Sequence, residues 1–307
     1  MRRRFAVPLI AAMAAAPWFW FYPDPPPENL PAQLVSVTPV PQTSDDLGGL
    51  SGLEVSPDGS DFFVITDRGH IASGTFTREN ETISDLALTA MQPLVDHEAR
   101  LQEFPLTDAE GLALTASGRL YVSFEHAHRI LFYDAWESPA QWPSYTRAWR
   151  ALSRNKGLEA LAIDAGGALY ALPEQINSSA SEALVYRRVP QEPWQQAFTV
   201  PVDAEFLPVG ADFGPDGRFY LLERGLYPFG FYSRVRVMDL TDDGPTQIQT
   251  IMQSTLGTHG NLEGLAVWQD ETGAIRLTMV SDDNFHSFMR GEIVEYVLLP
   301  GLATAEN

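Results

Sequence analysis

Apolar residues in this chain come in short runs separated by glycine-containing turns, and five pairs of runs follow one template. The first pair is Leu50-Ser51-Gly52-Leu53-Glu54-Val55 and Phe62-Phe63-Val64-Ile65-Thr66-Asp67, joined by Ser56-Pro57-Asp58-Gly59. The second is Glu110-Gly111-Leu112-Ala113-Leu114 and Leu120-Tyr121-Val122-Ser123-Phe124-Glu125, with Ser117-Gly118 between them. Glu159-Ala160-Leu161-Ala162-Ile163 leads through Gly166-Gly167 to a run ending at Glu174. Val209-Gly210-Ala211-Asp212-Phe213 leads through Asp216-Gly217 to Phe219-Tyr220-Leu221-Leu222-Glu223. The fifth pair opens at Glu263-Gly264-Leu265-Ala266-Val267 and, after a longer turn through Gly273, ends at Ser281-Asp282. Two apolar strands around such a turn make a β-hairpin. Aligning Gly52, Gly111, Ala160, Gly210 and Gly264 spaces the hairpins by 59, 49, 50 and 54 residues.

Each hairpin but the last is followed by two more strand-like runs, at 71–77 and 83–91, 130–136 and 145–152, 183–189 and 196–200, and 234–240 and 246–252. Four strands per unit of about 50 residues is the pattern of a propeller blade. The fifth unit has one run, 292–299, and residues 33–40 supply the missing strand. The reading is an all-β protein, a five-bladed β-propeller closed by an N-terminal strand, which leaves no exposed sheet edge at the seam. A sixth, divergent blade within the 59-residue spacing is the alternative.

In a hairpin, the start of the first strand and the end of the second lie at one edge. Glu110 is therefore expected beside Glu125, Glu159 beside Glu174, and Glu263 beside Asp282, with Asp67 and Glu223 added from copies one and four. Five-fold repetition turns these into an acidic mouth on the ring axis. Crowded carboxylates must protonate, pair with cations or bind metal. Oxygen donors without cysteine favour Ca²⁺ over zinc, with Mg²⁺ the weaker alternative. Asp282-Asp283-Asn284 adds three oxygen-bearing side chains on one segment. The metal-ligand candidates are thus Asp67, Glu110, Glu125, Glu159, Glu174, Glu223, Glu263, Asp282 and Asp283. Arg68, His70, His126, His128, Lys156, Arg224 and His286 are the basic and imidazole groups near the same edge. They either neutralise the acids or capture a substrate anion.

The 307 residues carry 20 Lys+Arg against 40 Asp+Glu, a formal charge of −20 that argues against nucleic acid and anionic membrane surfaces as partners. Cysteine is absent, which removes disulfides and thiolate chemistry. Met1-Arg2-Arg3-Arg4 and the apolar residues 5–16 have the layout of a secretory signal, with cleavage after Ala16. The run continues through Pro17-Trp18-Phe19-Trp20-Phe21-Tyr22, so an uncleaved inner-membrane anchor is the alternative. Residues 1–27 form this leader with a Pro-rich linker and 28–307 the propeller, expected as an exported, periplasmic monomer. Gly-x-Ser-x-Gly, P-loop, EF-hand and His-Glu-x-x-His patterns are absent.

Gly48-Gly49-Leu50-Ser51-Gly52-Leu53, Asp108-Ala109-Glu110-Gly111-Leu112-Ala113, Asn155-Lys156-Gly157-Leu158-Glu159-Ala160-Leu161, Leu221-Leu222-Glu223-Arg224 and Ser281-Asp282-Asp283-Asn284-Phe285 occur in that order. Together, across residues 47–296, they resemble the phytase-like family named for esterase-like activity of phytase, found mostly in exported bacterial proteins. The resemblance implies a hydrolase of small anionic esters in which Ca²⁺ neutralises acidic side chains, bridges phosphate and helps activate water. Glu110 and Glu159, with Glu125 and Glu174, are then candidate ligands or general base, and Lys156 and Arg224 candidate holders of substrate oxygens. A non-catalytic periplasmic binding or scaffold propeller with a structural calcium ion is the competing expectation. Lactone hydrolysis is a third.

Overall fold

The computed structural model describes residues 23–41, 45–154, 156–174, 181–228, 230–285, 289 and 291–299. The basic and apolar leader 1–22 and His286 lie outside them. The first strand, β1 (Ala32–Pro39), belongs to the last blade. The other blades follow in chain order: β2 (Leu50–Val55), β3 (Asp61–Thr66), β4 (His70–Glu79) and β5 (Thr82–Pro93); then β6 (Ala109–Leu114), β7 (Leu120–Phe124) and β8 (Arg129–Tyr133). The third blade is β9 (Leu158–Ile163), β10 (Leu169–Pro173), β11 (Glu182–Arg188) and β12 (Gln195–Pro201). The fourth is β13 (Leu207–Phe213), β14 (Phe219–Tyr227), β15 (Gly230–Thr241) and β16 (Gly244–Gln253). In the fifth, β17 (Asn261–Gln269), β18 (Ile275–Asp282) and β19 (Glu292–Leu298) are joined by β1 in the order β1-β19-β18-β17. The expected five-bladed ring and its N-terminal closing strand are both present. No sixth blade hides in the long first spacing, which is taken up by the extended β4–β5 hairpin and the loop after it.

All five inner hairpins turn the same way because a glycine with positive φ stands at the same place in each: Gly59, Gly118, Gly167, Gly217 and Gly273. Each donates its N–H to the carbonyl three residues back, closing a tight turn that other residues would strain. The inner strands β2, β6, β9, β13 and β17 touch in succession, and β17 returns to β2. Five apolar clusters fill the wedges between neighbouring blades, so burial is continuous around the ring. At the seam, Arg78 pairs bidentately with the fully buried Glu295 at 2.9 and 2.8 Å, fastening blade one to blade five.

The second blade departs from expectation. Residues 145–152 form no fourth strand; Arg147–Ala151 is a 3₁₀ turn capped by Thr146, with Trp149 buried against Tyr186 and Trp194. Pro139 and Pro143 interrupt the segment beside β8, leaving only the isolated bridges Ile130↔Ser144 and Tyr133↔Ala140. No helix among the described residues is long and apolar enough to cross a membrane.

Candidate functional site at the mouth of the ring

Near its start, every inner strand carries a β-bulge at the same place. The pairing skips Ser51, Glu159, Val209 and Glu263, and in blade two the irregular stretch spans Glu110 and Gly111. A bulge re-aims the extra side chain, and these five residues all line the axial cavity. The small residue that follows lets the strands approach. A Cβ at Gly210 would come within 2.5 Å of the Glu263 carbonyl oxygen, and one at Gly111 within 2.6 Å of that of Glu159. The first tier of the mouth is therefore Ser51, Glu110, Glu159, Val209 and Glu263. Ser51 is no nucleophile here: it is buried, and its Oγ donates to the Ala109 carbonyl at 2.6 Å.

A second tier comes from the ends of the second strands. Asp67, Glu125 and Glu174 donate their N–H groups to Gly49, Asp108 and Gly157, while Arg224 pairs with Leu207 and Asp282 with Asn261. Asp67, Glu125, Glu174, Arg224 and Asp282 are thus equivalent, and in blade four the position expected to be acidic is an arginine. Glu223 is a correction to the sequence reading. It lies one residue earlier, which turns it to the opposite face of the blade. There it is fully buried and accepts from Arg234 Nε at 2.9 Å and from Arg236 Nε and Nη2 at 2.7 Å each. It is a structural ion pair, not a mouth ligand.

The mouth is electrostatically divided. On one side Arg224 donates to Glu174 and Glu263 at 2.5 Å each and to Asn261 at 2.8 Å. Asn261 in turn donates to Glu263 at 2.7 Å and Asp282 at 3.4 Å. Arg224 is therefore engaged by the protein's own acids, and the surrounding carboxylates hold it firmly charged despite burial. On the other side, carboxylate oxygens of Glu110, Glu125 and Glu159 lie within 4.8 Å of one another, as do those of Asp108 and Glu125 with a ring nitrogen of His126. Glu125 accepts from Gly157 N at 2.7 Å, and Asp108 faces His126 Nε2 at 3.1 Å. No guanidinium pairs with Glu110, Glu125 or Glu159 among the described residues. Lys156 is exposed and forms no ion pair with them.

Burial, reinforced by the neighbouring carboxylates, pushes Glu110 and Glu159 well above the ordinary range. Burial likewise raises Glu263 to about 8, Asp67 to about 7, and Asp108 and Asp282 to about 6. Two unit charges about 4 Å apart repel by about 1–4 kcal/mol at effective dielectric constants of 80–20, so the cluster must hold protons or a cation. A buried, all-oxygen, cysteine-free donor set suits Ca²⁺. Beside it, Asp283 accepts from Gly49 N at 3.1 Å and Phe285 N at 3.0 Å, and Asp282 from Asn284 N at 2.6 Å. These bonds hold Asn284 and Phe285 at φ 48° and 52°, and His126 is also left-handed at φ 55°. Such backbone is costly for non-glycine residues and gathers at functional sites. Of the other imidazoles, His128 contacts the Ser153 carbonyl at 3.1 Å, while His70 and His128 keep a buried Nδ1 without a hydrogen bond.

Sequence reasoning missed Asp108 and Asn261 as members of the site, though both stand two residues before a first-tier glutamate. It also missed Glu54 and Asp212, one alternation inward from Gly52 and Gly210. Each accepts an N–H from the next blade's inner strand, Leu114 to Glu54 at 2.9 Å and Val267 to Asp212 at 2.7 Å. Burial and mutual repulsion raise Glu54, and burial raises Asp212 to about 7.

A family model described as Phytase-like, esterase-like activity of phytase, matches residues 45–285. No curated protein matches the chain. Among solved structures, an exo-β-1,3-galactanase from Clostridium thermocellum aligns with a TM-score of 0.58 at 9% identity, over 89% of this chain and 64% of that one. A PQQ-bound aldose sugar dehydrogenase from Streptomyces coelicolor aligns at 0.45 and 14% identity, over 87% and 99%. A gluconolactonase from Xanthomonas campestris aligns at 0.41 and 15%, over 81% and 86%. The galactanase likeness is one of fold alone.

Proposed function

The chain belongs to the phytase-like family described by esterase-like activity of phytase, and on that premise we propose an exported, metal-dependent hydrolase of small anionic phosphoric or carboxylic esters, working at the acidic mouth. The observation that carries this reading is the unneutralised trio Glu110, Glu125 and Glu159, whose donor oxygens lie within 4.8 Å of one another. Those three are the residues that would hold Ca²⁺, with Asp67, Asp282 and Asp283 as further oxygen donors. When bound, the ion would supply Lewis acidity and a lowered water pKa. The chain's own contribution is orientation and proton handling. His126, held at Nε2 by Asp108 and left-handed in backbone, offers a base beside the carboxylates. Asn261 and Arg224 fix Glu263 and Glu174 so that the opposite wall stays in place. The basic leader and apolar run at 1–22 support export to the periplasm or its membrane face.

The second reading, a binding or scaffold propeller with a structural cation, draws support from Arg224, whose saturation by acids leaves it little capacity for substrate oxygens. A panel of chromogenic phosphate, acyl and lactone esters separates the two, run with Ca²⁺, Mg²⁺ or chelator. Turnover that chelator abolishes and Ca²⁺ restores is the expected result. Calcium-dependent melting without turnover of any ester would select the scaffold.

A further inference from the structure

An anion entering this mouth meets nine carboxylates: Asp67, Asp108, Glu110, Glu125, Glu159, Glu174, Glu263, Asp282 and Asp283. Something positive must receive it, and the available cations are unequal. The Arg224 side chain is 17% exposed and already bonded to two carboxylates. Arg129 is spent on the carbonyls of Ala127 and Leu106. Arg68 is different. Its side chain is 48% exposed, and the carboxylate facing it, Asp67, is 3.6 Å from Nε, beyond hydrogen-bond distance.

Arg68 is also framed. Its guanidinium carbon lies 4.4 Å from the centroid of Phe285 and 5.3 Å from that of Phe104. Both rings keep open surface, at 40% and 59% exposure. Neither ring is placed by chance of a loose loop. Phe285 packs so closely on Gly48 that a Cβ there would lie 2.5 Å from its ring, and its backbone is tied to Asp283. Phe104 meets the His126 ring edge-on at 6.1 Å, which sets the frame beside the Asp108–His126 pair. Ring faces against a guanidinium favour the charge and leave its N–H edge for an oxyanion. A bidentate fork is the geometry that suits phosphate or carboxylate oxygens.

We infer that Arg68, framed by Phe104 and Phe285, is the anion-receiving subsite of the mouth, selecting ligands in which the anionic group is joined to a flat apolar body. The inference deepens the hydrolase reading and rests on it for the identity of the substrate class, namely aryl-type anionic esters. Its test is therefore binding, read apart from turnover. Phenylphosphonate and methylphosphonate, neither of them an ester, are titrated calorimetrically into the full chain with Ca²⁺ present. The wild type should prefer phenylphosphonate by about fivefold, the worth of one aromatic contact. Arg68→Ala should weaken both probes by about tenfold or more, the loss of a charged hydrogen bond. Arg68→Lys, which keeps the charge without the fork, should recover only part. Phe104→Ala with Phe285→Ala should erase the phenyl preference, so that phenylphosphonate loses more affinity than methylphosphonate and the two probes bind alike. Arg68 sits half-exposed on a turn, so an unchanged melting temperature verifies that its variants fold. Undiminished binding by Arg68→Ala, or no binding of either phosphonate by the wild type, overturns the subsite. Ester turnover with an unaltered KM in Arg68→Ala also overturns it while leaving the hydrolase reading standing. Phosphonate binding lost in Arg68→Ala, in a protein that hydrolyses no ester, keeps the subsite and sinks the hydrolase reading.

Discussion

Replacing Glu110 and Glu159 together by Gln tests the mouth most directly, because it removes two titrating groups while keeping their size. In the folded chain Glu110 and Glu159 are raised, as are Asp108 and Asp282 to about 6, Asp67 to about 7 and Glu263 to about 8. In the unfolded chain such groups release their protons near pH 4, to a rough approximation. Between those limits the folded state binds more protons, so stability is fully present in acid and falls as pH rises through the folded values. Asp282 alone, moved from 3.8 to about 6, corresponds to roughly 3 kcal/mol. For a domain of this size that is about 6–12 °C of melting temperature. A cation that replaces the protons reverses the loss. At a hundredfold excess over its Kd it adds about 2.7 kcal/mol, or about 5–10 °C.

Two trends should follow in scanning calorimetry at pH 5, 6.5 and 8, with chelator or Ca²⁺. The metal-free wild type should melt progressively lower as pH rises, and the calcium gain should grow over the same range, because the ion competes with protons for the same oxygens. In the Glu110→Gln, Glu159→Gln variant the metal-free curve should flatten and the calcium gain at pH 8 should disappear. A wild type whose metal-free melting is independent of pH would refute the electrostatic argument. A variant that keeps the full calcium gain would remove these two glutamates from the ligand set.

Glu223→Gln should lower the melting temperature by about 10 °C or more, since it leaves Arg236 buried without its countercharge and Arg234 with Asp203 alone, yet the calcium gain should survive. A lost calcium gain in a folded variant would return Glu223 to the mouth. Gly210→Ala should cost about 1–3 kcal/mol by overpacking, because its Cβ would sit 2.5 Å from the Glu263 oxygen; a neutral outcome in denaturant titration would contradict the close strand approach. Deleting residues 1–27 should leave cooperative unfolding intact, whereas deleting 1–41 should abolish it, since β1 pairs along its length with β19. Equal melting of the two truncations would show that β1 does not close the ring.

The ring itself was legible because every inner hairpin repeats one local solution, an apolar strand, a turn glycine and a second apolar strand. The closing strand was legible for a related reason: a fifth blade short of one strand has a partnerless edge that residues 33–40 could cover. Blade two was not, since Tyr145 to Leu152 has strand-like composition and only the two prolines upstream hint that no ladder forms. Tertiary packing of Trp149 decides that segment. The acidic trio was found by pairing hairpin ends, but its bulges have no composition of their own. Glu110 and Glu159 were placed correctly at the mouth without any reason for their inward aim.

Blade four shows what the missing step was. Side chains along a strand alternate, so residues an even number of positions apart share a face. Counted from the turn glycine, Glu125, Glu174 and Arg224 each come seven residues on, and Asp282 comes nine. Asp67 comes eighth, after a turn that closes one residue later, between Ser56 and Asp61. Glu223 comes sixth and must face the other way. Pairing by residue type chose the acid, whereas parity from the turn chooses the arginine. That choice changes the chemistry, because one guanidinium in the second tier neutralises Glu174 and Glu263 and leaves Glu110, Glu125 and Glu159 without a basic partner among the described residues, dependent on protons or a cation. A ring with five equivalent acids would spread its demand for cations evenly. This one directs it to the side formed by blades two and three, next to His126, so the mouth has a distinct direction.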